Sequence, residues 1–252
     1  MRRIALISAM HEELAAVLAR MPDEQKVDVA GRAFWVGHWH GHDVVAVLSR
    51  IGKVAAATTA TTLIERFGVT HMVFTGVAGG LAPHVNVGDV VVARDFMQHD
   101  MDASPLFPRH EVPLTGMTRF PADSAWTDRL LVAAQQALHD VVTTLPPSAW
   151  LDLDLATAHV HQGLLVSGDR FVSKTSESQA LQQELPEALA VEMECAAIAQ
   201  VCHDYGVPLV AVRTISDRAD DAAHVDFPRF IQTIASRYSA AVLDRLLSAL
   251  PV

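Results

Sequence analysis

The sequence has few of the features that mark nucleic-acid-binding, membrane or disulfide-bonded proteins. Only two of its 252 residues are cysteine, and 19 lysines and arginines stand against 29 aspartates and glutamates. The net charge of −10 and the lack of any basic run longer than two predict no surface for nucleic acid or an anionic membrane, because such surfaces need clustered lysine and arginine. No apolar run reaches the length of a transmembrane helix.

The cysteines and the first residues predict a protein of the reducing cytoplasm. Cys195 and Cys202 are seven residues apart on one predicted helix, about 10 Å along its axis, which is too far for a disulfide. They are therefore expected to be reduced thiols in the core. The apolar run Ile4–Ala9 that follows Arg2 and Arg3 is too short for a signal peptide, and charged residues interrupt it at once.

The chain does have enough apolar residues for a large core. Half of its residues are apolar and only 19% are charged, which predicts one domain over residues 1–252. Short apolar runs alternate with helical patterns, and this predicts an α/β fold with a mixed, mainly parallel sheet covered on both faces. The predicted strands are 3–9, 33–39, 43–49, 71–75, 89–93, 160–167 and 207–215, and the predicted helices are 11–20, 53–67, 124–139, 176–184, 193–205 and 227–248.

Three segments need a separate interpretation. Residues 35–43 are typical of a hairpin, with its turn at His40–His42. Residues 99–122 contain four prolines among polar residues, which predicts a long functional loop. Residues 141–158 are predicted to leave the fold as a surface excursion.

Small and polar residues cluster where the predicted strands end. Ligands of open α/β sheets bind outside the carboxyl ends of the strands, so this clustering predicts a small-molecule pocket. The ends concerned are 8–10, 49–52, 75–80, 167–169 and 215–217. The stretch Thr75–Gly80 is either a tight turn or a ligand-facing loop, since it matches neither a dinucleotide fingerprint nor a phosphate loop.

Acidic residues at three of these places predict acid–base chemistry on a neutral polar substrate. The run Val191–Glu194 is expected to open a helix. The helix dipole favours one glutamate at such a position, but it explains less well two glutamates, Glu192 and Glu194, whose side chains point in different directions. Arg213, in a predicted buried strand, needs a nearby anion. We therefore expect functional roles for Glu194 and Asp217, and Glu12-Glu13 forms the third acidic position.

Metal binding is the less favoured interpretation of the histidines. His38, His40 and His42 alternate along a strand, but no cysteine and no convincing carboxylate partner accompanies them. The run His99–Asp102 is expected to form a polar network in a loop. We predict neither a metal nor a cofactor, and Lys53, at the start of a helix, is expected to be solvated.

Seven ordered motifs carry a family resemblance. They are Ala9-Met10-x-Glu12-Glu13, Ser49-x-Ile51-Gly52-Lys53-Val54-Ala55-Ala56-Ala57, Thr75-Gly76-x-Ala78-Gly79-Gly80-Leu81, Val87-Gly88-Asp89, Ser167-Gly168-Asp169-x-Phe171, Val191-Glu192-Met193-Glu194 and Ile215-Ser216-Asp217. The chain resembles the 5′-methylthioadenosine/S-adenosylhomocysteine nucleosidases of the nucleoside phosphorylase superfamily. The resemblance implies a three-layer α/β/α sandwich and hydrolysis of an N-glycosidic bond that releases adenine from a 5′-thio-substituted ribose.

The resemblance also implies roles for individual residues. Asp217, with a pKa raised by burial, would protonate the purine N7, and Glu194 would hold the ribose hydroxyls and offset the developing positive charge. Glu13 would deprotonate the attacking water, which Arg213 would help to place. The substrate-binding positions that the resemblance implies are Met10, Ile51, Val77, Ala78, Gly79, Phe171, Val172, Glu192, Met193, Ser216 and Phe227.

A homodimer is implied as well, because in the family a partner subunit closes the alkylthio pocket. The matching segment here is 99–122, from which Ala103, Leu106, Phe107 and Pro113 are expected to reach across.

Departures from the family pattern keep two alternatives open. Val77 stands where the pattern has serine, and Arg50 replaces a glycine. A guanidinium near the pocket could bind phosphate, so the first alternative is a purine nucleoside phosphorylase. The second is a nucleoside-binding protein without catalysis, which the presence of Glu13, Glu194 and Asp217 disfavours.

Overall fold

A computed structural model describes residues 2–144, 158–221, 223, 230 and 234–251. In chain order its elements are β1 (Arg3–Ser8), α1 (His11–Leu18), β2 (Gln25–Val29), β3 (Arg32–Trp39), β4 (His42–Leu48), α2 (Lys53–Phe67), β5 (His71–Gly80), β6 (Val90–Gln98), β7 (Phe120–Pro121), α3 (Ser124–Thr144), β8 (Val160–Ser167), α4 (Thr175–Glu184), β9 (Ala188–Glu192), α5 (Cys195–Tyr205), β10 (Leu209–Asp217) and α6 (Ser236–Ser248). Within these described ranges, no helix is long and apolar enough to cross a membrane.

The strands form one mixed sheet that confirms the predicted α/β class. Its order is β10-β6-β8-β9-β5-β1-β4-β3-β2, and a further pairing between β10 and β5 closes one part of it on itself. The longest ladders, β5 with β10 and β6 with β8, are parallel. The antiparallel ladders β2–β3 and β3–β4 build the other edge.

Two apolar clusters cover the two faces of this sheet. Along β1, Ile4 and Leu6 belong to one cluster, and Ala5 and Ile7 belong to the other, as expected for a strand that is buried on both faces. The first cluster includes side chains of α1, α3 and α6, and the second includes side chains of α2 and α5. The helices therefore form two outer layers around the sheet.

Two expectations about the site-bearing segments were wrong. The stretch Thr75–Gly80 is neither a turn nor a loop, because β5 continues through it to Gly80. Its last two glycines pair with Val191 and Ala190 of β9, a strand that was not predicted. Val191 and Glu192 therefore end a strand, and helix α5 begins only at Cys195.

The hairpin was predicted correctly, and its three histidines point to different partners. Trp39 of β3 pairs with His42 of β4 across the turn. His38 bonds to Asp23 at 2.6 Å, and His40 bonds to Asp244 at 2.9 Å. His42 is buried and bonds to the carbonyl of Leu247 at 3.0 Å. The side chains do not converge on a common point.

The remaining segments differ from the sequence predictions mainly in their bounds. Strand β2 was not predicted, and α3 continues to Thr144, into the stretch that was expected to be an excursion. Residues 145–157 of the predicted excursion lie outside the described residues. The last helix was predicted from residue 227. Within that range residue 230 is helical, residues 234–235 are π-helical and α6 begins at Ser236, while 227–229 and 231–233 lie outside the described residues. Cys195 and Cys202 are free and buried, as predicted.

Candidate active site

A cavity of about 480 Å³ opens where β1, β5, β9 and β10 end. This is the edge at which the sequence predicted a small-molecule pocket. The walls are formed by Ala9, Met10, Ile51, Val77, Ala78, Gly79, Arg170, Phe171, Val172, Val191, Glu192, Met193, Glu194, Ser216 and Asp217. All of the predicted substrate-binding positions are among them except Phe227, which lies outside the described residues.

Glycines at the end of β5 let neighbouring elements approach the floor of the cavity. A Cβ atom at Gly79 would lie 2.9 Å from the Cβ of Ala219 and 3.0 Å from Oδ1 of Asp217. A Cβ atom at Gly76 would lie 2.9 Å from Nη1 of Arg213. Only a residue without a side chain fits between β5 and β10 at these two positions.

An ion pair between Glu192 and Arg213 lies beneath the cavity. Nη2 of Arg213 donates to Oε2 of Glu192 at 2.9 Å, and the two side chains are 0% and 2% exposed. The guanidinium also lies over the ring of Phe74, 3.9 Å from its centroid. Arg213 thus has the anion that its buried position requires, and it does not line the cavity wall.

Glu192 also organises the start of α5. Its carboxylate accepts hydrogen bonds from the backbone N–H groups of Glu194 at 3.1 Å and Cys195 at 3.0 Å, and from the hydroxyl of Ser167. The same hydroxyl accepts from the N–H of Ala196 at 2.8 Å. Two N–H groups at this helix terminus therefore bond to an anion, and a third bonds to the hydroxyl of Ser167. Sequence reasoning missed Ser167, although its position at the end of a strand was noted.

Glu194 is the carboxylate that faces the cavity from the other side of this turn. It is 6% exposed, and its Oε1 accepts from the N–H of Gly52 at 2.9 Å. Burial, together with the charge of Glu192, raises the pKa of Glu194 to about 7. At neutral pH this group can therefore exist both as a carboxylate and as a carboxylic acid.

Glu13 lies behind Met10, where α1 begins. Its Oε2 accepts from the N–H of Met10 at 3.1 Å, as in a helix capping box. A capping glutamate is usually solvated, whereas Glu13 is 0% exposed. Burial raises its pKa, and the hydroxyl of Ser239 and the charge of Arg213 act in the opposite direction.

Asp217 is the last residue of β10 and is 1% exposed. Its Oδ1 accepts from the N–H of Ala219 at 2.8 Å, and its Oδ2 accepts from the hydroxyl of Ser216 at the same distance. Ala219 has a φ of 51°, a left-handed conformation that is unfavourable for alanine. Such strain occurs where the surrounding structure holds a residue in place, here with its N–H on Asp217.

Apart from Arg170 and Ser216, the rest of the wall is apolar. Phe171 and Val172, from the loop after β8, form one side, and Phe171 is 45% exposed. Met10 and Met193 add flexible thioether side chains. Val77 lines the cavity at the place where the family pattern has a hydroxyl. These walls suit an aromatic ring and a thioether tail.

Lys53 was expected to be solvated, and this was wrong. Its ammonium donates to Asp100 at 2.5 Å and to Gln98 at 3.2 Å, and its side chain is only 15% exposed. Its backbone N–H donates to Asp169 at 2.7 Å, and the N–H of Asp169 donates to Asp100 at 2.9 Å. These bonds join the start of α2 to the loop that carries Phe171.

Two other sequence predictions can be compared with the described surface. The guanidinium of Arg50 bonds to the carbonyl of Gly31 and does not line the cavity, which disfavours the alternative in which Arg50 binds phosphate there. Leu106 is 84% exposed, and Ala103, Phe107 and Pro113 are partly exposed. None of these four lines the cavity of this single chain.

Comparison with known proteins finds relatives along the whole chain. The profile described as Phosphorylase superfamily matches residues 3–248. A 5′-methylthioadenosine/S-adenosylhomocysteine nucleosidase of Oceanobacillus iheyensis is 35% identical over 242 residues, which cover 96% of this chain and 97% of that protein. A protein of the same description from Anoxybacillus flavithermus is 37% identical over 240 residues, 95% of each chain.

Solved structures agree in fold over almost all of the chain. The Neisseria meningitidis nucleosidase of the same description, in complex with methylthio-immucillin-A, has a TM-score of 0.85 and 33% identity, covering 99% of this chain and 100% of that one. Futalosine hydrolase of Helicobacter pylori has a TM-score of 0.83 and 29% identity, covering 99% and 98%.

Proposed function

The chain belongs to the phosphorylase superfamily and, within it, to the 5′-methylthioadenosine/S-adenosylhomocysteine nucleosidases, and from this we propose that it hydrolyses the N-glycosidic bond of one or both of these nucleosides. The products are adenine and the thio-substituted ribose. The observation that carries the proposal is the placement of two buried carboxyl groups, Glu194 and Asp217, on the wall of one apolar cavity, with a third, Glu13, buried behind Met10 of that wall.

Asp217 acts on the leaving group. Departure of adenine leaves electrons on the purine, and a proton delivered to N7 stabilises them. Asp217 lies on the cavity wall and is nearly inaccessible to solvent, as a proton donor to a bound base must be. Phe171 offers its ring face to the purine from the neighbouring loop.

Glu194 and Met193 hold the ribose. The sugar becomes positively charged as the C1′–N9 bond breaks, and the Glu194 carboxylate stabilises that charge and accepts hydrogen bonds from the ribose hydroxyls. The N–H of Gly52 donates to Oε1 of this carboxylate, which as an acceptor of up to about four hydrogen bonds can also bind the ribose hydroxyls. Met193 packs against the sugar.

Glu13 activates the nucleophile. A water oxygen forms the new bond to C1′ while Glu13 takes one of its protons and adenine leaves with the proton from Asp217. The raised pKa of Glu13 makes it a stronger base than an ordinary glutamate. Arg213 acts on this site as a positioning residue, through its bond to Glu192 and its charge near Glu13.

A homodimer completes the pocket in this proposal. Leu106 and Leu114 of segment 99–122 are 84% and 91% exposed, and Ile51 and Val54 near the cavity mouth are 69% and 78% exposed. Large apolar side chains that are this accessible fit a surface covered by a second copy of the chain. An enzyme of this kind would act in methionine salvage in the cytoplasm, which agrees with its free thiols.

The test of the reaction is adenine release from methylthioadenosine, adenosylhomocysteine and futalosine, with and without added phosphate. The hydrolase proposal expects release without phosphate and a free sugar product. A strict need for phosphate, with a sugar 1-phosphate as product, would establish a phosphorylase instead. Tight binding without turnover of any nucleoside would favour a binding protein.

Variants then test the assigned roles. Glu13→Gln and Asp217→Asn are expected to abolish adenine release while the fold survives. The matched controls are Glu12→Gln, an exposed neighbour on α1, and Asp204→Asn, an exposed aspartate on α5. Near-wild-type turnover in Glu13→Gln or Asp217→Asn would contradict the assignment.

The dimer is tested with Leu106→Asp and light scattering. The charge is expected to separate the subunits and to lower activity, because a buried unpaired aspartate is costly. Val132→Asp, at an exposed apolar position of α3, is the control. A monomeric and fully active wild-type protein would refute the dimer.

A further inference from the structure

We propose that Ser239, on the C-terminal helix α6, is a positioning residue for Glu13 that fixes one oxygen of its carboxylate and keeps it able to act as a base. This inference rests on the proposed function, in which Glu13 activates water. It assigns a role in the reaction to a residue 226 positions away from Glu13 in the chain.

The geometry is that of a strong hydrogen bond inside the core. The hydroxyl of Ser239 donates to Oε1 of Glu13 at 2.6 Å, which is short for an O–H···O contact and typical of a charged acceptor. Glu13 is 0% exposed and Ser239 is 3% exposed. The other carboxylate oxygen accepts from the N–H of Met10. The two donors come from different elements and together restrict the rotation of the carboxylate.

Packing does not account for a serine at this position. The residues of α6 buried beside it include Tyr238, Val242 and Leu243, which join the same apolar cluster as Leu14 of α1. A hydroxyl buried in such a cluster is unfavourable unless it is hydrogen-bonded. The bond to Glu13 satisfies this requirement.

Among the side chains of α6, Ser239 is the one that donates a hydrogen bond to Glu13, and the other charged and titratable groups nearby act differently. From β10, Arg213 acts on Glu13 through its charge. On α6 itself, Tyr238 is buried and Arg237 is exposed, and Asp244 further along bonds to His40.

On the remaining neighbours, the titratable side chains face away or have other partners. His11 and Glu12 of α1 are exposed, and His42 of β4 bonds to the carbonyl of Leu247. On β1, Arg3 pairs with Asp43. Burial raises the pKa of Glu13. If the Ser239 hydroxyl were removed, mainly Arg213 and the backbone N–H donors would remain to lower that pKa.

The consequence is a defined change in pH dependence. Burial raises the pKa of Glu13, and the Ser239 hydroxyl lowers it because it stabilises the charged form. Without that hydroxyl the pKa rises further, so a larger part of the enzyme carries a protonated, inactive Glu13 at moderately acidic pH. The acidic limb of kcat at saturating substrate, where the bound ribose keeps Glu194 ionised, should then move to higher pH.

The experiment compares three variants of the full chain over pH 5 to 9. Ser239→Ala is expected to move the acidic limb of kcat, measured at saturating substrate, upward by about one pH unit, which is about a tenfold loss on that limb. Ser239→Thr keeps the hydroxyl and should return the limb to the wild-type position. Tyr238→Phe removes a neighbouring buried hydroxyl that has no partner among the described residues, and its limb should stay unchanged.

A measurement without substrate separates this inference from the proposed function. The carboxyl carbon of Glu13, assigned by its absence in Glu13→Gln, can be titrated by carbon-13 NMR in wild type and Ser239→Ala. An upward shift in Ser239→Ala supports the role even if the reaction were another one. An unchanged titration, or an equal shift in Tyr238→Phe, would overturn it. If Ser239→Ala does not fold, Ser239→Cys takes its place, because a thiol is a weaker donor than a hydroxyl. The titration of Glu13 must then shift upward in Ser239→Cys.

Discussion

Glu194 should make nucleoside binding depend on pH in the neutral range. Its pKa of about 7 in the free protein results from burial and from repulsion by Glu192. The ribose hydroxyls need the ionised form, since a carboxylate accepts hydrogen bonds at both oxygens whereas a carboxylic acid donates one. Protonation of Glu194 therefore competes with binding of the substrate.

The magnitude follows from the titration. With a pKa of about 7, roughly one molecule in eleven is ionised at pH 6 and roughly ten in eleven at pH 8. The Kd of a nucleoside should thus decrease by about tenfold from pH 6 to pH 8, equivalent to about 1.4 kcal/mol. In Glu194→Gln the side chain cannot ionise, so the Kd should be weak and nearly constant over this range.

Calorimetry with an unreactive 5′-methylthio nucleoside analogue that retains both ribose hydroxyls measures this directly. The analogue must not itself titrate between pH 6 and pH 8. A wild-type Kd that stays constant over this range would refute the reasoning, as would an equal slope in Glu194→Gln. Glu12→Gln, at an exposed position, should keep the wild-type slope.

The same pKa shift has a consequence for stability without ligand. The folded protein holds a proton on Glu194 that the unfolded chain, with its ordinary pKa near 4.5, releases. Between about pH 4.5 and 7 the folded state therefore binds more protons, and the free energy of unfolding decreases as the pH rises. Glu194→Gln should lack this contribution in urea titrations at several pH values.

Three further predictions concern the scaffold of the site. Arg213→Met leaves Glu192 as a buried anion without a counter-charge and should lower the free energy of unfolding by about 3–5 kcal/mol. A loss below about 1 kcal/mol in urea titration would contradict this. Lys53→Met should raise KM several-fold with little effect on kcat, because it loosens the loop of the purine site, and unchanged steady-state kinetics would refute that role. Gly79→Ala should displace the carboxyl of Asp217 and lower kcat by about 100-fold. A fully active variant would contradict this, because it would show that β10 can move without loss of function.

Local sequence patterns were sufficient to predict the elements whose start and end are set by neighbouring residues in the chain. Helix α2 was predicted at its observed bounds, 53–67, because a regular helical pattern lies between two glycines. Strands β1 and β4 were predicted within a residue or two from their apolar runs. The motifs at the strand ends also indicated the edge where the cavity lies, since parallel strands bring their carboxyl ends together.

Other features were beyond any local pattern. Strand β9 has only five residues and leads directly into the turn before α5, so its sequence was mistaken for the start of a helix. Strand β5 continues through three glycines. At Gly76 and Gly79, side chains of β10 lie too close for a Cβ atom, which is a property of the neighbouring strand.

By itself the sequence determined which residue types follow each strand, and so which carboxyl groups were available for chemistry. Only the tertiary structure decided what each carboxyl group is bonded to and how far it is removed from water. The Lys53 ammonium and the Glu13 carboxylate receive partners 47 and 226 positions away. The pKa of Glu194 depends on burial that several separate segments produce together. Hydrogen bonding and solvation act through distances in space, which the order of residues along a chain does not contain.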